Sequence, residues 1–189
     1  MKTALLLIDI QNDYFKGGRS ELTDPDSALA NARKVLNDFR KQNMPVIHVQ
    51  HINTRDGATF FLPNTEGAEI HKELTPRKNE FLGVKHYPNS FYETDLHKII
   101  EDNDITNLVV CGMMTHMCID TTVRAARDYG LCIFLLDDAC ATKNLLYNGE
   151  VITATIVHKT FMSALNGMFA DVIKTADFDI DGQLNCSKS

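Results

Sequence analysis

The chain has 189 residues, of which 44% are hydrophobic and 23% are charged, and its formal net charge is −6. This is the composition of an ordinary globular domain, and the length allows one sizeable core. The negative charge argues against nucleic acid or an anionic membrane as a partner, and no apolar run approaches the length that spans a bilayer.

In chain order the sequence predicts strand-like apolar runs that alternate with helix-like segments. These are a strand at 3–9, a helix at 28–42, a strand at 46–51, a loop-rich stretch at 52–80 with helical turns around 66–74, a strand at 81–86, a helix at 95–103, a strand at 108–111, a helix at 118–129, a strand at 131–137, a helix at 150–165 and a short strand at 172–175. The alternation is typical of an α/β fold with a parallel sheet covered on both faces. We predict one domain over residues 1–176 and a polar C-terminal tail over residues 177–189.

Two features of the sequence predict a cytoplasmic protein. The apolar start resembles the opening of a signal peptide, but Asp9 interrupts it after five residues. The odd number of cysteines and the absence of a CxxC pair indicate free thiols in a reducing compartment. The cysteines are Cys111, Cys118, Cys132, Cys140 and Cys186.

Four polar or reactive side chains follow predicted strands, namely Asp9, His51, Lys85 and Cys118. Active groups of parallel α/β sheets lie beyond the carboxyl ends of the strands, so we expect these side chains to meet at one edge. Cys118 would then stand at the amino end of a helix. The free N–H groups and the dipole there favour a thiolate and can hold an oxyanion.

Each of these residues also has a purely structural explanation. Cys118 could be a small buried apolar residue, Asp9 could cap the turn after it, and Lys85 could extend its ammonium group to water. In the catalytic interpretation Asp9 is a general base that takes the thiol proton. Lys85 then pairs with the carboxylate and stabilises the thiolate.

The sequence around these residues resembles that of the isochorismatase-like cysteine hydrolases over about residues 3–170. Four segments carry the resemblance in the family's order and spacing: residues 6–13, residues 85–96, Gly112-Met113-Met114-Thr115-His116-Met117-Cys118-Ile119-Asp120, and residues 137–142. The resemblance implies a Rossmann-like, three-layer α/β/α fold with a mainly parallel central sheet.

The resemblance also implies a site and a reaction. It assigns a catalytic triad to Asp9, Lys85 and Cys118, a cis peptide to Met113–Met114, and an oxyanion hole to the N–H groups of Met114 and Cys118. The implied reaction is hydrolysis of a C–N bond in a small amide, lactam or carbamoyl compound through a thioester on Cys118, without a cofactor.

We expect the substrate pocket to be lined mainly by aromatic side chains of loops that follow strands. The candidates are Phe15, His51, Phe60, Phe91, His116 and Tyr147. In the nicotinamidase branch of the family an Asp-x-His pair after the second strand helps to hold a metal, but the aligned residues here are His51-Ile52-Asn53. His51 and His71 without the carboxylate make a poor site for zinc or iron, so we predict no metal.

Three other functions stay open at this point. They are a metal-dependent nicotinamidase-type amidase, a vinyl ether hydrolase of the isochorismatase type, and a catalytically silent protein that binds a metabolite. Vinyl ether cleavage needs no thiol nucleophile, so Cys118 favours C–N hydrolysis. Members of the family usually form dimers or tetramers, so we expect a homo-oligomer that acts on a small molecule.

Overall fold

A six-stranded parallel sheet forms the centre of the computed structural model, which describes residues 2–180. The strands are β1 (Lys2–Ile8), β2 (Val46–His51), β3 (Phe81–Lys85), β4 (Ile105–Met113), β5 (Cys132–Ala141) and β8 (Asp171–Ile173), and a separate two-stranded hairpin contains β6 (Leu145–Tyr147) and β7 (Glu150–Ile152). The helices are α1 (Pro25–Lys41), α2 (Leu96–Asp102), α3 (Asp120–Asp128) and α4 (Ala154–Leu165). Helices flank both faces of the sheet, and the predicted three-layer α/β/α fold is confirmed.

The order of the strands, β3-β2-β1-β4-β5-β8, places β1 and β4 side by side at the centre of the sheet. Both strands are almost fully buried, which explains their continuous apolar sequences. Ile8 at the end of β1 pairs with Gly112 of β4, so the residues after both strands emerge at one edge. From β1 the next strands, β2 and β3, are added on one side, whereas β5 and β8 are added on the other side, next to β4. Ligands of open α/β sheets bind where the order of the strands reverses in this way.

The stretch after β4 shows two departures from the predicted elements. Strand β5 continues to Ala141 instead of ending at residue 137, because an irregularity shifts its register between Val110 and Gly112 of β4. The polar pair Asp137 and Asp138 lies in this irregular part of β5. A regular strand that is buried on both faces would not accommodate two carboxylates.

A hairpin replaces the first part of the helix predicted at 150–165. Asn148 and Gly149 connect β6 to β7 with φ values of 48° and 82°, as a two-residue type I′ turn requires. The Asn-Gly pair between apolar residues was a hairpin signal in the sequence that our prediction did not use. Helix α4 therefore begins only at Ala154, and Thr153 caps it by accepting a hydrogen bond from the N–H of Ile156.

The prediction that all the cysteines are free thiols is wrong at one described position. Cys111, Cys118 and Cys140 are free and buried, but Cys132 takes part in a disulfide bond. Cys186 and most of the predicted tail lie outside the described residues. No helix within residues 2–180 has the length and apolar character needed to cross a membrane.

Candidate active site

Three parallel strands each bring one predicted catalytic side chain to the same edge of the sheet. Asp9 directly follows β1, Lys85 is the last residue of β3, and Cys118 lies in the turn that follows β4. Asp9 has a φ of 52°, a left-handed conformation that Asp adopts more readily than most residues. The chain thus turns sharply at the residue that carries the carboxylate.

The three side chains form one buried cluster. Lys85 Nζ lies 2.6 Å from Asp9 Oδ2 as an ion pair, and it donates a hydrogen bond to Cys118 Sγ over 3.2 Å. Asp9 and Lys85 have no exposed surface, and Cys118 is 3% exposed. A hydrogen bond also joins the Asp9 carboxylate to the Cys118 side chain. The carboxylate therefore lies directly beside the thiol.

Burial and mutual charge set the protonation states of the ion pair. Burial raises the pKa of Asp9, and the positive charge of Lys85 acts against this rise. For Lys85, burial lowers the pKa, but the charges of Asp9 and Cys118 together raise it above its ordinary value. Lys85 is therefore an ammonium group that neutralises the Asp9 carboxylate.

The surroundings of Cys118 oppose the thiolate that a helix end would favour. Burial raises the pKa of its thiol, the charge of Asp9 raises it further, and only Lys85 lowers it. In addition, Cys118 does not lie in the first turn of α3 but in a π-helical turn over Thr115–Ile119 that precedes it. The group is a thiol at rest, so its proton must leave as the sulfur attacks.

The turn that carries Cys118 depends on close packing between β4 and β1. Gly112 has a φ of 140°, and a Cβ atom at this position would lie 2.0 Å from the carbonyl oxygen of Ile8. Only glycine fits both this conformation and this spacing. The peptide between Met113 and Met114 is cis, as the resemblance implies. Thr115 at the start of the turn is buried, and its hydroxyl contacts both β5 and α4.

His51 joins the cluster from β2, next to Lys85 of β3 in the register of the sheet. Its Nδ1 accepts a hydrogen bond from Lys85 Nζ over 3.0 Å and lies 3.9 Å from Asp9 Oδ2. Burial and then the charge of Lys85 lower the pKa of His51 to about 3. The imidazole is therefore neutral at physiological pH.

Asp9, His51 and Cys118 offer ligand atoms within 4.8 Å of one another, which is the spacing of a metal site. However, the ammonium group of Lys85 lies within 3.2 Å of all three residues and supplies the positive charge there. A divalent cation would face strong repulsion at this position. His71 lies elsewhere, with its ring 4.5 Å from that of Phe15. The residues present do not fit a catalytic metal.

Gln11 fixes the backbone of His51, and our sequence analysis missed this role. Its Oε1 accepts a hydrogen bond of 2.7 Å from the N–H of His51, and its Nε2 donates bonds of 2.8 Å and 2.7 Å to the carbonyls of His51 and Ala68. Gln11 is fully buried, so these bonds satisfy the whole amide. A polar residue two positions after Asp9 was the available signal in the sequence.

Asp13 holds the loop at residues 52–80 against the site in the same way. Its Oδ2 accepts a hydrogen bond of 2.6 Å from the N–H of Phe61. Gly67 approaches so closely that a Cβ atom there would lie 2.2 Å from Asp13 Oδ1. The loop therefore packs against residues 11–13 of its own chain.

Aromatic residues of the loop and of the segment after β1 form a wall beside His51. The ring of Phe61 lies 4.6 Å from that of Tyr14, 4.9 Å from that of Phe60 and 5.9 Å from that of His51. Burial raises the pKa of Tyr14 well above its ordinary range, and the nearby charges of Cys118 and Asp9 add to this rise. The structure thus places Tyr14 beside the triad, although our prediction chose its neighbour in the sequence.

The other predicted pocket residues make their contacts elsewhere. The ring of Phe91 packs 5.0 Å from that of Tyr129, just after the end of α3. His116 Nδ1 lies 2.6 Å from the hydroxyl of Thr142, and Tyr147 is on the hairpin with 69% of its surface exposed. Of the six predicted pocket residues, only His51 and Phe60 lie in the cluster or in the aromatic wall beside it.

Comparison with known proteins decides the family of this chain. The isochorismatase domain matches residues 3–177. The chain belongs to the isochorismatase family. It is 51% identical to the uncharacterized isochorismatase family protein YddQ of Bacillus subtilis over 178 aligned residues. The alignment covers 94% of this chain and 99% of the relative. As a member of this family the chain is a hydrolase.

Solved structures of family members share the whole fold. A protein from Oleispira antarctica that is assigned to the isochorismatase hydrolases is 46% identical, with a TM-score of 0.89 over 93% of this chain and 94% of that one. The N-carbamoylsarcosine amidase from Thermoplasma acidophilum is 25% identical, with a TM-score of 0.79 over 96% of this chain and 100% of that one.

Proposed function

We propose that this isochorismatase-family hydrolase cleaves the C–N bond of a small amide, lactam or carbamoyl compound through a covalent thioester. The observation that carries the proposal is the position of the Lys85 ammonium group, 2.6 Å from the Asp9 carboxylate and 3.2 Å from the Cys118 sulfur. This arrangement offers a nucleophile, a base and a fixed positive charge in one buried cluster. The likeness to an amidase that acts on a carbamoyl compound supports the same bond type.

In the first half of the reaction Cys118 Sγ attacks the carbonyl carbon of the substrate. The thiol proton passes to Asp9 as the S–C bond forms, and the charge of Lys85 holds the carboxylate in place. The oxyanion is stabilised by the N–H groups of Met114 and Cys118, each of which contributes about 3 kcal/mol. The C–N bond then breaks, and Asp9 returns its proton to the leaving nitrogen.

In the second half a water molecule hydrolyses the thioester. Asp9 takes one proton from the water as its oxygen bonds to the carbonyl carbon. The S–C bond breaks, the acid product leaves, and the proton returns from Asp9 to Cys118. The protons in this sequence pass only between Cys118, Asp9, the substrate and water, and Lys85 stays an ammonium group throughout.

The experiment is a hydrolysis screen that follows ammonia release from small primary amides and carbamoyl compounds, and the ring-opened amino acid from lactams. Cys118→Ala should lower the rate on any substrate by at least about 10³-fold, whereas Cys140→Ala, which removes another buried thiol, should keep activity near that of the wild type. Mass spectrometry of the quenched wild-type enzyme should show an acyl group on Cys118. Activity that survives Cys118→Ala, or that is lost with a metal chelator, contradicts the proposal.

For assembly and location we propose a cytoplasmic homo-oligomer whose ligand is a small molecule rather than nucleic acid or a membrane. Self-association is supported by four large apolar side chains of the hairpin and of α4 that are between 56% and 73% exposed. They are Leu146, Tyr147, Val151 and Ile156. Light scattering after size-exclusion chromatography should give a mass of two or four chains. A monomer at micromolar concentration would contradict this part of the proposal.

A further inference from the structure

Lys85 determines which nitrogen of His51 carries the proton. An ammonium group can only donate hydrogen bonds, and Lys85 Nζ points one of them at His51 Nδ1 over 3.0 Å. Nδ1 must therefore present its lone pair, and in a neutral imidazole the single proton is then on Nε2. Lys85 Nζ has three further acceptors, namely Asp9 Oδ2 at 2.6 Å, the carbonyl of Tyr87 at 3.1 Å and Cys118 Sγ at 3.2 Å. Whichever of these four acceptors take the three N–H groups, a proton on Nδ1 would face the ammonium group, so Nδ1 turns its lone pair to Lys85.

The Nε2–H group of His51 has no hydrogen-bond partner among the described residues. No fully buried side-chain atom of His51 lacks a hydrogen-bond partner, so Nε2 keeps some exposed surface, in agreement with the 13% exposure of the side chain. His51 therefore presents an open hydrogen-bond donor at the edge of the buried cluster that contains Cys118.

The surroundings of this donor favour an oxygen atom of a ligand. The charges of Lys85 and Arg55 both lower the pKa of His51, so the ring lies in a positive local potential. A nitrogen of His51 also lies within 4.8 Å of Cys118 Sγ. An acceptor one or two bonds from the carbon that Cys118 attacks is therefore within reach of the ring.

We infer that His51, held by Lys85 as the Nε2–H tautomer, binds the substrate by donating a hydrogen bond to a carbonyl or carboxylate oxygen next to the scissile amide. This inference rests on the proposed function and names its substrate class, an amide with a second oxygen acceptor on the adjacent carbon. His51 is here a specificity residue, which does not take part in proton transfer. The backbone clamp from Gln11 keeps the ring in the required place.

The tautomer can be measured without any substrate. In protein labelled with ¹⁵N-histidine, the His51 ring should show a protonated Nε2 and an unprotonated Nδ1 at pH 7, and His51→Leu identifies its signals. A protonated Nδ1 in the wild-type protein would overturn the inference. This measurement is independent of turnover, so it separates the inference from the proposed function.

Three substitutions then separate the donor from a merely structural role. Gln places an N–H near the position of Nε2, Asn retains an acceptor near Nδ1 for Lys85, and Leu removes both groups. We compare kcat/KM for pyruvamide, which has the adjacent carbonyl, with that for propionamide, which lacks it. The wild type and His51→Gln should prefer pyruvamide by about tenfold, and His51→Asn and His51→Leu should lose this preference. The preference should appear mainly in KM.

If His51 only supports Lys85, His51→Asn should behave like the wild type, and that result would overturn the inference. Should both amides react too slowly, binding is followed in Cys118→Ala by the ¹⁵N signal of His51. Pyruvamide should shift the Nε2 signal and propionamide should not. The absence of a shift with both compounds would also count against the inference, whereas ammonia release from other amides would still support the proposed function.

Discussion

Replacing Lys85 by Met removes the counter-charge of a buried carboxylate while it keeps a side chain of similar length. Asp9 and Lys85 have no exposed surface and lie 2.6 Å apart, so water cannot take over the role of the ammonium group. Breaking such a pair on one side costs about 3–5 kcal/mol, because the remaining charge is left buried. We expect Lys85→Met to lower the free energy of unfolding by about this amount at pH 8.

A second substitution tests the cause of this loss. In Asp9→Asn/Lys85→Met both partners are neutral and close to their original size, and neutral replacements of buried ion pairs are often tolerated. The double variant should therefore recover more than about half of the stability lost by Lys85→Met. All of these variants should lack hydrolase activity, so stability and catalysis are measured separately.

The pH dependence of Lys85→Met has a defined sign. Without Lys85, burial leaves the pKa of Asp9 in the folded protein above its unfolded value of about 3.9. A group of this kind contributes stability that is present below the unfolded pKa and is lost as the pH rises through the folded pKa. The gap between Lys85→Met and the wild type should thus be small near pH 4 and full at pH 8.

Urea unfolding followed by circular dichroism at pH 4, 6 and 8 measures these differences. Lys98→Met is the matched control, because Lys98 forms an exposed pair with Asp102 and its loss should leave the free energy of unfolding almost unchanged. Equal stability of Lys85→Met and the wild type at pH 8 would refute the reasoning. So would a double variant that is no more stable than Lys85→Met, because Asp9 would then not be the charged partner.

Three further predictions concern the surroundings of the site. Burial opposes ionisation of Glu80, but hydrogen bonds from neighbouring arginines and from His48 outweigh it and lower the pKa of Glu80 from 4.5 to about 2. Its stabilising effect is therefore present above pH 4.5 and is lost as the pH falls towards 2, and Glu80→Gln should cost about 1–2 kcal/mol at pH 7. An unchanged acid limb in unfolding titrations would contradict this. Gly112→Ala should lower the free energy of unfolding by more than about 3 kcal/mol, because the new Cβ would meet the backbone of β1. Gly130 also has a positive φ but has open space around it, so Gly130→Ala should cost about 1 kcal/mol. Equal melting temperatures of the two variants would argue against the clash. Gln11→Leu should raise KM and speed hydrogen exchange in residues 66–70. Gln50→Leu loses a hydrogen bond to the same carbonyl of Ala68 but none to His51, so it should speed exchange without a change in KM. An unaltered KM in Gln11→Leu would show that the clamp is dispensable.

The sequence predicted structure best where the local residue pattern and the tertiary environment favour the same secondary structure. Strands β1 and β4 are buried on both faces, so their apolar runs could be read directly as strands. The positions of Asp9, Lys85 and Cys118 after such runs were enough to predict that they meet, and the ion pair and hydrogen bond among them agree with this. The hairpin of β6 and β7 was missed, although its Asn-Gly turn is a local signal.

The sequence did not indicate which aromatic side chains lie beside the cluster, because the direction of a side chain depends on how its loop folds. Phe60 reaches the wall beside the site, whereas Phe91 packs against Tyr129 and Tyr147 is exposed on the hairpin. The side chain of Gln11 was overlooked for the same reason, since its role depends on a loop that is distant in sequence.

The sequence by itself determined the parallel α/β fold and the edge of the sheet at which Asp9, Lys85 and Cys118 meet, because these follow from the order of apolar runs and the residues that end them. Only the tertiary structure decided that burial disfavours the Cys118 thiolate, that the Lys85 ammonium group lies between Asp9, His51 and Cys118, and that it contacts His51 at Nδ1. These properties depend on burial and on distances of a few ångströms between strands. The free energies of ion pairs and hydrogen bonds vary steeply with burial and with distance. Neither quantity can be derived from the order of residues along the chain.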